Sequence, residues 1–541
     1  MHSSLKRNLA RKAAAIRNTR ALLDDFSHDE RGVTAVIFAI CFVAVFFISA
    51  MAIDYGFGSH EKMRQQAALD AATLAAADKL GLPNGELEGK AIAEAFFKAN
   101  SNSDVPAELS SFKLDAEKGE IVAHGASTYF TTLLAGVNIT RLSIGTASRI
   151  VRGLNSAEIA LVLDNSGSMG GQPLADLKSA AGDLLDIVFA GAEGSERMRI
   201  GIVPFAGSVN VGSINATAPW MDQNAASPLH RENLEAGTTK TRFQLLDDMG
   251  VAWAGCVEAR PAPYDVNDTP ATDGVGETYF VPLFAPDEPD SNNDAGNTYY
   301  NSYLTDDGGA CTPQPQTCTG GYSRRGNCRG WTKDPLDPVT AQSRVCKYAG
   351  ASVSGSGPNY ACTTSPILPL TSTKIDIQSA IAAMGASGNT NIGEGVMWGV
   401  RVLSPGEPFS EGRAYDADRN QKFLVLMTDG QNTYSALSNH NRSTFGAYGF
   451  AKEGRLGTTY QNTAFRNQMN SKTQSACSAA KAAGIIVYTI AFRLENDPVT
   501  TTLLNGCATS GDRALKASNG DGLIEAFRQI GREISALRVA G

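Results

Sequence analysis

Two continuous apolar runs, each leading into an aspartate, constrain this chain most. Ala157-Glu158-Ile159-Ala160-Leu161-Val162-Leu163 enters Asp164-Asn165-Ser166-Gly167-Ser168, and Lys422-Phe423-Leu424-Val425-Leu426-Met427 enters Thr428-Asp429-Gly430. Runs of this length and composition predict strands buried on both faces. Helical spacing of Leu174, Leu177, Ala181, Leu184, Leu185 and Val188 follows the first run, and an amphipathic pattern through Leu523, Phe527, Ile530, Ile534 and Leu537 closes the chain. Met198 to Val211 and Ile485 to Phe492 add two more strands. The expected fold is α/β, with a doubly wound, mostly parallel sheet. Such sheets bind ligands in the crevice beyond the carboxyl ends of their strands.

That crevice would collect an unusual set of oxygens. Asp164 is followed at alternate positions by Ser166 and Ser168. Thr390 sits in the Gly-rich loop Gly388-Asn389-Thr390-Asn391-Ile392-Gly393-Glu394-Gly395, and Asp429 follows the second run. Carboxylates and hydroxyls without nitrogen or sulfur suit a hard divalent cation, Mg²⁺ first, with Mn²⁺ or Ca²⁺ as alternatives. Each residue also has a plain structural use: Ser166 and Ser168 in a turn, Thr390 as a helix N-cap, Asp429 in a Thr-Asp-Gly turn. In order and type, the five positions resemble the metal-ion-dependent adhesion site of the von Willebrand factor A domain family, Asp-x-Ser-x-Ser, then Thr, then Asp. The resemblance implies that the hydroxyls coordinate directly and the aspartates largely through water. One position is then left for an acidic side chain of a partner protein, with Thr390 joining the ion in the ligand-bound state.

The beginning of the chain sets the compartment. The formal charge is −8, but residues 1–31 carry a net +3, leaving −11 for the rest, which argues against a nucleic-acid-binding body. Val33 to Ile53 is a run of 21 residues without charge, long enough as a helix to span roughly 30 Å of hydrocarbon. Basic residues before it and Asp54 after it predict a cytoplasmic N-terminus and an exported body on a single membrane span. The run exceeds a typical signal-peptide core, so the span is expected to stay as an anchor. Eight of the nine cysteines follow residue 250, an even number that fits disulfides in an oxidising compartment. Cys256, Cys311, Cys318, Cys328, Cys346 and Cys362 leave their pairing open, whereas Cys477 and Cys507 stand apart around one strand and are expected to pair.

After the span, Gln65-Gln66-Ala67-Ala68-Leu69-Asp70-Ala71-Ala72 reads as helix, continuous with the membrane segment unless Gly56 and Gly58 bend it. A short helix over 88–100 and three alternating runs between 112 and 150 complete a small α+β module. The Arg31-Gly32-Val33-Thr34-Ala35-Val36 start and the Gln-Ala-Ala-x-Asp-Ala-Ala stretch resemble TadE/TadG-like proteins of tight-adherence (Flp) pilus systems. Ile37 stands where a prepilin-type signal would have Glu, which argues against cleavage after Gly32. The expected layout is a basic N-terminus (1–31), a transmembrane helix (32–54), a pilin-like module (55–152) and an A domain (153–541). A disulfide-stapled insert is expected over about 213–370. Within the insert, Asp287-Glu288-Pro289-Asp290-Ser291-Asn292-Asn293-Asp294 lacks the Gly and distal Glu of an EF-hand and reads as a solvated acidic loop. With no P-loop, no metal-binding His pair and no nucleophile triad apparent, an enzyme is not expected. The resemblance implies a component of pilus assembly at a bacterial inner membrane that binds a pilus or envelope protein; a structural minor pseudopilin or anchor is the alternative.

Overall fold

A computed structural model of the chain describes residues 33–79, 84–101, 104–115, 119–151, 155–190 and 195–539, apart from 292, 295 and 354. The basic N-terminus expected over 1–31 lies outside the described residues. Two compact units are present, one ending at Val151 and the other covering the rest of the chain.

In the first unit, α1 (Val33–Ala76) is a single helix, unbroken at Gly56 and Gly58. The side chains from Thr34 to Ser49 are exposed, whereas Ala50, Asp54, Glu61, Gln65, Leu69, Ala72 and Ala76 form one buried stripe at mostly three- and four-residue spacing. The helix is long and apolar enough to cross a membrane. Its buried polar groups are matched. The Asp54 carboxylate accepts the N–H groups of Thr132, Leu133 and Leu134 at 3.2, 2.9 and 2.7 Å, and Gln65 Oε1 accepts the Ser127 hydroxyl at 2.7 Å. Helix α2 (Gly85–Asn100) and the antiparallel strands β1 (Ala107–Asp115), β2 (Glu120–Phe130) and β3 (Arg141–Val151) complete the unit. Phe97 packs closely on β2 because residue 125 is glycine: a Cβ there would stand 2.7 Å from the ring.

The second unit is built on β4 (Ser156–Asp164), α3 (Gln172–Val188), β5 (Met198–Phe205), β6 (Val209–Asn210), α4 (Arg242–Asp248), β7 (Cys256–Val257), β8 (Gln316–Cys318), β9 (Trp331–Lys333) and α5 (Pro338–Ser343). It continues through β10 (Leu368–Thr371), α6 (Lys374–Ala383), α7 (Ile392–Leu403), β11 (Asn420–Thr428), α8 (Asn462–Ala482), β12 (Ile486–Phe492), α9 (Pro498–Cys507), β13 (Ala514–Ala517) and α10 (Gly520–Val539). Strands β13, β12, β11, β4 and β5 pair in parallel, and β10 runs antiparallel beside β5. The sheet therefore runs β13-β12-β11-β4-β5-β10, a doubly wound arrangement with its crossover next to β4.

Alternation along β4 assigns the two faces. Ile159, Leu161 and Leu163 pack on α3 and α10 through Leu177, Leu184, Phe527 and Ile530. Ala160 and Val162 face α7 and α8. Helix α7 comes close to the sheet because residue 399 is glycine; a Cβ there would lie 2.6 Å from Val162 Cγ2.

The insert is stapled by disulfides as expected and shares its core with the sheet. Trp220, Phe280, Phe284 and Tyr348 share one core with Trp398, Val162 and Leu424, so the insert covers α7 and buries all twelve of its residues. Strands β6 and β7 also prolong the sheet beyond β5. Its cysteines pair as Cys256–Cys362, Cys311–Cys346 and Cys318–Cys328, while Cys477–Cys507 ties α8 to α9 as expected. The acidic stretch, expected to be a solvated loop, is a correction. Asp287 and Glu288 are buried because the Lys347 ammonium, itself fully buried, lies 2.7 Å from Asp287 Oδ2 and 3.4 Å from Asp306 Oδ1. Burial alone would favour neutral Lys347, but these carboxylates hold it above the usual lysine range. An internal ammonium therefore supplies the positive charge that solvent or a metal would otherwise provide.

Candidate metal centre at the carboxyl edge of the sheet

Three loops leave the carboxyl edge near the strand crossover and are stitched together by their backbones. Gly167 N donates to Gly388 O at 3.0 Å and Ser387 N to Asn165 O at 2.8 Å, joining the first loop to the second. Thr433 N donates to Thr390 O at 2.9 Å and Thr390 N to Thr433 Oγ1 at 2.8 Å, joining the second to the third. Backbone ties of this kind set side-chain positions more tightly than a free loop could.

All five expected residues meet here. Asp164 is the last residue of β4 and fully buried, not beyond the strand as the sequence suggests. Its Oδ1 accepts Ser166 N at 2.7 Å and its Oδ2 the Thr428 hydroxyl at 2.5 Å. Ser166 Oγ lies 3.1 Å from Ser168 Oγ, which donates to Asp429 Oδ1 at 2.6 Å. Thr390 Oγ1 and Ser168 Oγ stand 3.9 and 3.6 Å from the point that a Cβ on Gly430 would occupy. The plain use of Thr390 as a helix cap does not apply: Asn391 is the N-cap of α7 and accepts Glu394 N. Ser166 precedes a single 3₁₀ turn without capping it.

Thr428 is the residue that sequence reasoning missed. The signal was a hydroxyl at the last inward position of an otherwise apolar run, where a hydrogen-bond partner is required. Asn432, also missed, is buried and accepts Ile392 N at 2.8 Å, which fixes the start of α7.

The electrostatics fit a cation. Burial pushes the Asp164 carboxyl up to about 6, against the opposing bonds from Thr428 and Ser166. Burial also raises Asp429, which the Ser168 hydroxyl and Arg493 only partly offset. Among the described residues no basic side chain forms an ion pair with either carboxylate. Two under-compensated carboxylates and three hydroxyls form an all-oxygen donor set of the kind Mg²⁺ takes. A groove of 320 Å³ lies alongside, lined by Ser387, Gly388 and Asn389 of the second loop and by Tyr360 and Thr363 of the insert.

The strand order and this oxygen-lined edge define a doubly wound α/β domain with five oxygen-bearing side chains gathered at the carboxyl ends of its strands. Residues 32–79 match the family model "Putative Flp pilus-assembly TadE/G-like", and the second unit, which that model does not cover, is a doubly wound α/β domain. No curated protein matches the chain. Among solved structures, it is similar to the vWF domain of the type V pili tip protein Mfa5 from Porphyromonas gingivalis. Identity is 10% and the TM-score 0.32, covering 71% of this chain and 96% of that one. It is also similar to the pilus adhesin SpaC from Lactobacillus rhamnosus GG, with 12% identity and a TM-score of 0.31 over 80% of this chain and 35% of that one. Likeness at this level carries no weight beside the strand order itself.

Proposed function

We propose that this protein is a membrane-anchored, extracytoplasmic component of Flp pilus assembly that grips an acidic side chain of a partner protein through a divalent cation. Asp164, Ser166, Ser168, Thr390 and Asp429 would hold the ion, Mg²⁺ first, with Mn²⁺ or Ca²⁺ able to use the same donors. When bound, the cation supplies an electrophilic position for a carboxylate. The observation that carries this reading is the meeting of five oxygen-bearing side chains from three mutually bonded loops. The chain's own residues do the positioning: Thr428 and Ser166 N–H orient Asp164, and Ser168 links the first loop to Asp429. The TadE/G-like segment supports the pilus setting. The four disulfides support an oxidising compartment, hence a cytoplasmic N-terminus and an exported body at the inner membrane.

Calorimetry on the detergent-solubilised chain should show roughly one Mg²⁺ or Mn²⁺ per molecule. Asp164→Asn, which keeps the shape of the buried side chain, should abolish that binding. Pull-downs from membranes with and without EDTA then test the grip. Loss of metal binding with unchanged partner recovery and pilus assembly would leave the protein as a structural anchor.

A further inference from the structure

Although the chain is acidic overall, residues 308–333 contain no Asp or Glu and hold Arg324, Arg325, Arg329 and Lys333. This stretch forms a hairpin. β8 and β9 pair with Gln316 opposite Lys333 and Cys318 opposite Trp331, and Tyr322 pairs with Cys328 nearer the tip. The tip closes through Gly326 N to Ser323 O at 2.9 Å and Ser323 N to Asn327 O at 2.8 Å. The Cys318–Cys328 disulfide, ten residues apart, joins the two cross-strand pairs that contain the aromatics. Gly320 and Gly330 let the strands touch, since a Cβ on Gly320 would stand 2.5 Å from Gly330 N. The hairpin is therefore ordered before any partner arrives.

Its side chains are left to water. Tyr322 is 66% exposed and Trp331 60%. Arg324, Arg325 and Arg329 are exposed, and none has a side-chain hydrogen bond or ion pair among the described residues; Lys333 is held 2.7 Å from Asp307. Solvated arginines alone would be ordinary. The nearest acids, Asp307 and Asp334, are held at the hairpin base by Lys333 and Thr317. Three arginines with no acid between residues 308 and 333, around two large exposed rings on a stapled hairpin, match a partner that offers ring faces and anionic groups together.

We propose that this hairpin binds an acidic polysaccharide, with sugar rings stacked on Tyr322 and Trp331 and uronate carboxylates on Arg324, Arg325 and Arg329. A lipid surface fits less well: residues 308–333 contain no Leu, Ile, Val, Met or Phe to insert, and two of the arginines sit at the tip ahead of Trp331. Nucleic acid fits less well because the disulfide inside the hairpin belongs to an oxidising, extracytoplasmic setting, where acidic glycans are found.

The test is titration of the full chain, in detergent micelles and EDTA, with polygalacturonate oligosaccharides. EDTA separates this site from the metal centre, so binding there stands or falls independently of it. Binding should persist in EDTA, weaken as salt rises, and be absent with neutral dextran. The double change Arg324→Gln/Arg325→Gln should weaken it about tenfold, and Trp331→Ala or Tyr322→Ala a few-fold. Non-reducing peptide mapping should still recover Cys318 linked to Cys328 in each variant. No binding by the native chain, or native affinity in the arginine and aromatic variants alike, would overturn the proposal. So would equally tight binding of phosphatidylglycerol vesicles or single-stranded DNA with the same pattern of losses.

Discussion

In the sheet of the second unit, β4 buries Ile159, Leu161 and Leu163 toward one helix layer and Ala160 and Val162 toward the other. The insert reaches comparable burial with Arg242, Glu258, Asp287, Asp306 and Lys347. In the sheet, backbone groups satisfy one another along the ladders and, apart from the buried pair of Glu158 with Lys422 at 2.5 Å near the strand starts and the polar groups of the site at their ends, side chains need only be apolar and of the right size. The insert has few ladders; among its described residues the longest helix is seven residues. Its polar groups are satisfied by particular distant partners, as when Arg242 and Arg455 both contact the buried Glu258. One half of the core depends on pattern and the other on named pairs, so single changes should damage them differently.

The sharpest way to break this contrast is the Cys256–Cys362 bridge, which spans 106 residues. Replacing both cysteines by Ser should cost about 5 kcal/mol by loss of the constraint on the unfolded chain. Denaturant titration should show one transition, because insert and α7 share a core; an early separate transition would mean that the insert is independent after all. Next is Lys347→Met, which leaves Asp287 and Asp306 buried without their ammonium and should cost about 4 kcal/mol. An effect as small as that of a surface change would show that water or a cation takes its place.

A smaller effect concerns pH. Asp164 is raised from 3.8 to about 6 in the folded protein, so the folded state binds its proton more tightly than the unfolded chain. Its contribution is full below about pH 4 and is lost as pH rises through about 6, a swing of about 3 kcal/mol without metal. Mg²⁺ held beside the ionised carboxylate should restore that loss, so the Mg²⁺-induced rise in Tm should be larger at pH 7.5 than at pH 5. A pH-independent rise would detach the metal from Asp164. The smallest effect is expected at the capping box of α4, where Thr241 Oγ1 accepts Gln244 N and the Gln244 side chain accepts Thr241 N. Thr241→Ala should cost about 1 kcal/mol in thermal unfolding.

What could be read in advance follows the same division. The strands β4, β11 and β12 are legible because burial on both faces writes a mostly apolar run. The edge strand β10 is only four residues and carries Pro369, so no run survives to mark it. The first half of α8 is almost all polar, and its inward residues Phe465, Met469 and Thr473 are too sparse to show a period. In the site, Asp164, Ser166, Ser168, Thr390 and Asp429 stood out by chemistry and spacing. Thr428 did not, because its role exists only once β11 lies beside β4. The stretch at Asp287 was misread for a similar reason: the lysine that lets it be buried lies 60 residues away.

The three N–H bonds to Asp54 have a mechanical consequence. They clasp the backbone at residues 132–134 to α1 just where its side chains pass from exposed to packed. The helix cannot swivel about its axis or bend at that level without breaking all three. With 44 residues it is a rod of about 66 Å, and a load on the first unit would be transmitted as tilt and torque into the bilayer-length segment instead of being absorbed by a hinge.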